Sequence, residues 1–196
     1  MNYYISDLHI GCVNKHEGRT LKHDQILKDN WNAVVTNSDT VYIIGDVGRI
    51  GSNKDNEYLC SILSTLKGHK ILIKGNHDDL KDHRITKLFD KIVDREIVTD
   101  NNKGKTYKLV IDHFPILIWE HQHKGYIHLY GHVHETDEYD VYKESLALLN
   151  KYFEKRRNDG ATDCPEAVAY NCFSGLLNYT PCTINQIIDK FSGDKQ

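Results

Sequence analysis

The chain has 196 residues, 39% of them apolar and 27% charged, a balance that excludes the disordered and membrane-embedded classes. Lys and Arg total 25 against 28 Asp and Glu, and a formal charge of −3 supplies no overall positive field for long nucleic acid. No run reaches the roughly 20 apolar residues of a bilayer span, and Met1 to Asp7 lacks a basic segment followed by an apolar one, so a soluble, cytoplasmic protein is expected. The length suits one domain over residues 1–196, since autonomous domains commonly run to about 100–200 residues. Cys12, Cys60, Cys164, Cys172 and Cys182 are odd in number and irregular in spacing, which fits free thiols better than a disulfide framework.

In chain order, Tyr3-Tyr4-Ile5 reads as a first strand and Leu27, Trp31 and Val34 as the stripe of a first helix. Val41-Tyr42-Ile43-Ile44 follows as a strand. The next stripe, Leu59, Ile62, Leu63 and Leu66, is closed by Gly68. Ile71-Leu72-Ile73, Leu109-Val110-Ile111 and Ile127-His128-Leu129-Tyr130 are further brief runs that stop at Gly or a polar residue, as strands buried on both faces do. Tyr142, Leu146, Leu149 and Phe153 form a long helical stripe before Lys155-Arg156-Arg157 and Gly160, a charged last turn and a stop. A last helix opens at Thr183, where Thr183-Ile184-Asn185-Gln186 has capping-box form. Strands alternating with helices predict a layered α/β fold.

The strand ends carry the chemistry. Asp7-Leu8-His9 follows the first strand, Gly45-Asp46 the second and Gly75-Asn76-His77-Asp78 the third. Asp112-His113 and Gly131-His132-Val133-His134 follow the other two. Residues two apart on an extended chain share a face, which lets Asp7 reach one ion with His9, and His132 with His134. A Gly before Asp46, Asn76 and His132 allows a sharp turn there. Any one of these short motifs alone is weak evidence; five in order are strong.

In that order the motifs resemble the calcineurin-like metallophosphoesterase family, from Asp7 to His134 and again at Tyr170-Asn171-Cys172 and Thr180 to Ile184. The resemblance implies two packed β-sheets flanked by helices, with metals at the strand ends. It implies one ion on Asp7, His9, Asp46 and His134, and a second on Asp46, Asn76, His113 and His132, with Asp46 bridging. Two divalent transition-metal ions are the implied cofactors, Mn first, with Fe, Zn, Ni or Co as alternatives, because mixed oxygen and imidazole donors suit them better than Ca or Mg. The implied chemistry is in-line attack of an activated water on a small phosphate ester. A phosphodiester or nucleotide is expected ahead of a monoester. His77 matches the residue that stabilises or protonates the leaving oxygen, and Asp78 is expected to orient that imidazole.

Other residues admit two readings. Arg49 can reach a phosphate oxygen with its forked donors or be a solvated loop charge. His16, Arg19 and His23 follow the first motif and lead the remaining candidates for substrate contact. Trp119 and His121 to His123 lie between two ligand motifs, where a base could rest, though aromatic residues are more often core. A non-catalytic scaffold of the same fold is a competing reading that the presence of His77 disfavours. A DNA-processing nuclease would need a further domain and a basic field. The oligomeric state, a homo-oligomer included, is left open.

Overall fold

The computed structural model describes residues 1–13 and 20–192, and its strands form two four-stranded sheets packed on one another and flanked by helices. In the first sheet β1 (Asn2–Ile5), β2 (Thr40–Ile44), β3 (His69–Ile73) and β4 (Lys91–Val93) are neighbours in that order, all parallel. Each parallel step requires a crossover, and α1 (Lys22–Val34), α2 (Asn53–Leu63) and the short α3 (His83–Thr86) supply them. The second sheet runs β5 (Arg95–Asn102), β6 (Lys105–Asp112), β7 (Ile127–Tyr130), β8 (Ala169–Asn171). β5 and β6 are an antiparallel hairpin whose two-residue turn, Lys103-Gly104, has positive φ at both positions. β6, β7 and β8 are parallel, with α4 (Asp137–Asn158) crossing from β7 to β8 and α5 (Ile184–Ser192) last.

The core lies between the sheets and under the crossover helices. Tyr4, Ile5, Ile43, Ile44 and Leu72 from one sheet meet Leu109, Ile111 and Leu129 from the other, all fully buried. α1 contributes Leu27 and Trp31, whose Nε1 donates to the Lys67 carbonyl at 2.9 Å. Val34 is exposed; the buried residue at this helix end is Val35, because the cap has already turned extended there. α2 stops at Leu63, and Leu66 is buried from the following turn rather than from the helix. In α4, Leu146, Leu149 and Phe153 are half-buried against Val110, Trp119 and Ala167. The opening of α5 has one arm of the expected capping box, the Gln186 side chain accepting from the Thr183 amide at 2.8 Å.

β1 is an edge of the first sheet, and the segment after β8 covers it through an antiparallel bridge of Tyr4 to Cys182 and a parallel bridge of Ser6 to Phe173. Among the described residues no helix is long and apolar enough to cross a membrane.

Candidate metal centre

Parallel strands in level register end on one edge, and every candidate ligand lies just past such an end. Ile5 stands opposite Ile43, Ile44 opposite Ile73 and Ile111 opposite Leu129, so the loops beginning at Ser6, Gly45, Lys74, His113 and Gly131 leave the two sheets side by side. There the structure brings together all seven residues. Nε2 of His9 and Nε2 of His134 are 3.1 Å apart, and His134 Nε2 is 3.4 Å from Asp7 Oδ1. His113 Nε2 and His132 Nδ1 each lie 2.9 Å from Asn76 Oδ1. Asp46 Oδ2 stands between the two sets, 3.9 Å from His9 Nε2 and 3.6 Å from His113 Nε2. Asp7, His9 and His134 form one group that could hold a metal ion, and Asp7, Asp46 and His113 another.

Proton bookkeeping shows what these contacts lack. The Ile44 carbonyl can only accept, so His113 Nδ1, 2.9 Å away, is the protonated ring nitrogen. In the neutral ring Nε2 then presents a bare lone pair to another lone pair, that of Asn76 Oδ1. A cation between the two converts this repulsion into attraction. The donor set therefore fits a metal ion. Burial pushes the Asp7 carboxyl up, but its bond to His134 and the charges of His134 and His113 outweigh burial and hold it below the ordinary carboxylate range. His132 is depressed, first by burial and then by the charge of His113.

The backbone reaches this arrangement through strain rather than extension. Asp7, His9, Asp46, His132 and His134 all have positive φ, between 44° and 71°. The expectation that Asp7 with His9, and His132 with His134, converge because they alternate along an extended chain is therefore corrected. Left-handed turns point them, at about 1–3 kcal/mol each, a cost that persists only where the surroundings over-determine the conformation. The glycine reading is corrected too. Only Gly45 of the three has a positive φ, +81°. Gly75 and Gly131 are required by close approach, since a Cβ would lie 2.2 Å from Asp46 Oδ1 at the first and 2.4 Å from Asp7 Oδ2 at the second.

Asp78 does not serve the His77 ring. Its Oδ2 accepts from the amides of Asp46 at 3.0 Å and Gly75 at 2.8 Å, and its Oδ1 from Val47 at 2.9 Å. The carboxylate ties the loop after β2 to the loop after β3. Its pKa is raised by burial, which outweighs the amide bonds from Gly75 and Val47, and the Asp46 charge adds to the rise. The His77 amide donates to Asp46 Oδ1 at 3.0 Å, leaving an exposed ring whose centroid is 6.1 Å from that of His9. Arg49 extends from the loop after Asp46 with 62% of its side chain exposed, 3.4 Å from Asp55. His23 packs beside Tyr179 at 5.1 Å; His16 and Arg19 lie outside the described residues. Trp119 is core, its Nε1 donating to the Tyr126 carbonyl at 2.8 Å.

Four positioning contacts escaped the sequence reading. Asn171 Nδ2 donates to the His134 carbonyl at 2.8 Å, Phe173 stacks on the His134 ring at 4.4 Å, and Ser174 Oγ donates to the Asp7 carbonyl at 2.8 Å. Asp24, fully buried on α1, accepts from the Gly11 amide at 2.9 Å, two residues beyond His9. The available signal was an acid on an otherwise apolar helix stripe beside Leu27.

The chain is thus an α/β protein with Asp and His groups suited to a metal ion. It belongs to the family of the Gene 66 protein of Mycobacterium phage D29, to which it is 30% identical over 158 residues, covering 67% of this chain and 77% of that one. An uncharacterized protein of Methanocaldococcus jannaschii is 30% identical over 155 residues, covering 76% of this chain and 78% of that one. The Gene 66 protein of Mycobacterium phage L5 is 41% identical over 81 residues, 39% of either chain. A protein of unknown function from Aquifex aeolicus has a solved structure that matches 97% of this chain and 98% of its own at 25% identity and TM-score 0.64. A predicted phosphoesterase from Streptococcus pneumoniae TIGR4 matches at TM-score 0.35 and 17% identity over 68% of this chain and 62% of its own, too distant to carry an argument. No protein-family model matches the chain.

Proposed function

We propose that this chain is a metal-dependent phosphoesterase that hydrolyses a small phosphate ester, a phosphodiester or nucleotide first, using two divalent transition-metal ions. The observation behind this reading is the lone pair of His113 Nε2 facing that of Asn76 Oδ1 at 2.9 Å, beside His9 Nε2 and His134 Nε2 3.1 Å apart. Asp7, His9, Asp46 and His134 would hold one ion, and Asp46, Asn76, His113 and His132 the other. When bound, such a pair supplies charge that lowers the pKa of water and offsets the negative charge growing on a phosphoryl group. The remaining work falls to the chain. Asp46 is fixed by the His77 amide and the Asp78 clamp, so its carboxylate is oriented before substrate arrives. The exposed His77 ring is free to donate a proton to the leaving oxygen. Mixed oxygen and nitrogen donors favour Mn, Fe or Zn over Ca or Mg.

The test is elemental analysis of the purified protein alongside hydrolysis of p-nitrophenyl phosphate and bis-p-nitrophenyl phosphate, before and after chelation and with Mn²⁺ restored. Bound metal with activity lost on chelation and regained with Mn²⁺ is expected, with the diester preferred. Full activity in a preparation free of Mn, Fe, Zn, Ni and Co would overturn the reading.

A further inference from the structure

α4 has an exposed apolar row that no described residue covers. Its inward row, Tyr142, Leu146, Leu149 and Phe153, packs against the second sheet and the loop carrying Trp119. Val141, Leu148 and Tyr152 are 62%, 70% and 57% exposed. With Ser145 they follow the spacing four, three, four, the alternation of a two-helix seam. Each seam residue immediately precedes an inward one, so at about 100° per residue the exposed row adjoins the buried row, and half-buried Ser145 marks where the two meet.

The charges along the same helix say what fits there. The N-terminal half carries Asp137, Glu138, Asp140 and Glu144 against Lys143 alone; the C-terminal half carries Lys151, Lys155, Arg156 and Arg157 against Glu154 alone. The macrodipole accounts for acids in the first turn and bases in the last. It does not account for Glu144 and Lys151 in the middle turns, nor for the apolar row between them. The complement of this helix is the same helix reversed.

We propose that two copies of the chain associate through antiparallel α4 helices about a two-fold axis. Ser145 of one copy then faces Leu148 of the other, and Val141 faces Tyr152. Glu144 lies beside Lys151 of the second copy and Glu138 beside Lys155, each pair occurring twice. A parallel pairing sets the mainly acidic halves together and the mainly basic halves together, so charge selects the antiparallel one. This inference is independent of the metal centre and of any activity.

Sedimentation equilibrium between about 1 and 100 µM, a span that brackets micromolar dissociation constants, decides it. A reversible dimer is expected. Leu148→Glu weakens it at least about tenfold, and circular dichroism verifies an unchanged fold, as the 70% exposure of Leu148 leads one to expect. Glu144→Lys and Lys151→Glu each weaken it, and the double swap restores it, whether or not Leu148→Glu is soluble. A monomer throughout, a dimer indifferent to Leu148→Glu, or a double swap that fails to rescue overturns the proposal. The last two results would place any interface elsewhere.

Discussion

The two sheets bring different chemistry to the same edge. Among the candidate ligands, the first sheet presents the oxygens, through Asp7, Asp46 and Asn76, with His9 as its one imidazole; the second presents imidazoles alone, His113, His132 and His134. Between the two sides, His113 Nδ1 to the Ile44 carbonyl and the His132 amide to Asp7 are hydrogen bonds already, whereas His113 Nε2 to Asn76 Oδ1 needs a proton or a cation to be favourable. A cation bound at this edge would therefore latch the sheets together, and its binding should add to their docking. The sides are also positioned differently. The oxygen side is held by backbone amides, those of His77 and Asp78's three partners, whereas the imidazole side leans on Ile44, Asn171 and Phe173.

That contrast can be broken most severely at its centre. Asp46→Asn removes the charge standing between both sets, and hydrolysis should fall to background with metal content reduced at both positions. Equal turnover and equal metal by elemental analysis would refute the bridging role. His77→Asn should spare the metal yet cost about 10²–10⁴-fold in kcat/KM on an alkyl or nucleoside ester. The loss on a p-nitrophenyl ester should be much smaller, because p-nitrophenolate leaves without a proton. Equal losses on both esters would assign His77 to phosphate positioning, and loss of metal would make it a ligand.

Asp78→Asn probes the amide clamp of the oxygen side. An amide offers one acceptor oxygen where three N–H groups converge, so the Asp46 loop should loosen and metal affinity fall about 10–100-fold, the usual range for a partner of a ligand. Calorimetric titration of the chelated protein with Mn²⁺ measures this. An unchanged affinity would mean that β2 and β3 alone hold the loop.

The smallest effect lies behind the imidazole side. His128 is buried with Nδ1 on the Val110 carbonyl at 3.0 Å and Nε2 accepting from the Ile116 amide at 3.1 Å, which fastens the loop after His113. Burial depresses its pKa from 6.5 to about 4, with the bonds to the Val110 and Phe114 carbonyls acting against the shift. Between those values the unfolded chain binds the proton and the folded one does not, so stability is full above 6.5 and declines as pH falls toward 4. The window corresponds to about 3 kcal/mol. Urea unfolding of chelated protein at pH 7.5 and 5 should show part of this loss, and His128→Gln should reduce the difference between the two pH values. An identical pH dependence in the variant would exonerate His128.

Some elements were legible because their apolar pattern matches their burial. Val41 to Ile44 and Ile71 to Ile73 are short β-branched runs, and they are β2 and β3. β5 was not legible, for a physical reason. Its inward residues are Val98, Asp100 and Asn102, so two of three buried positions are polar, while Ile97 faces outward at 40% exposure. Asp100 is satisfied by the Tyr4 hydroxyl at 2.7 Å and Asn102 by Asn185 at 2.8 Å, partners about 80 to 100 residues away that no local pattern reveals.

The sequence by itself determined which side chains could meet an ion and the order in which strands deliver them, because residue type and strand-end position are local properties. It also placed glycines where the loops crowd. Only the tertiary structure decided how those side chains point. The left-handed turns at Asp7, His9, Asp46, His132 and His134 are unfavourable locally and exist because two sheets in register fix both ends of each loop. For the same reason Asp78 became a clamp rather than a partner of His77: its carboxylate is set by three amides from two different loops, a juxtaposition that exists only once β2 and β3 are paired.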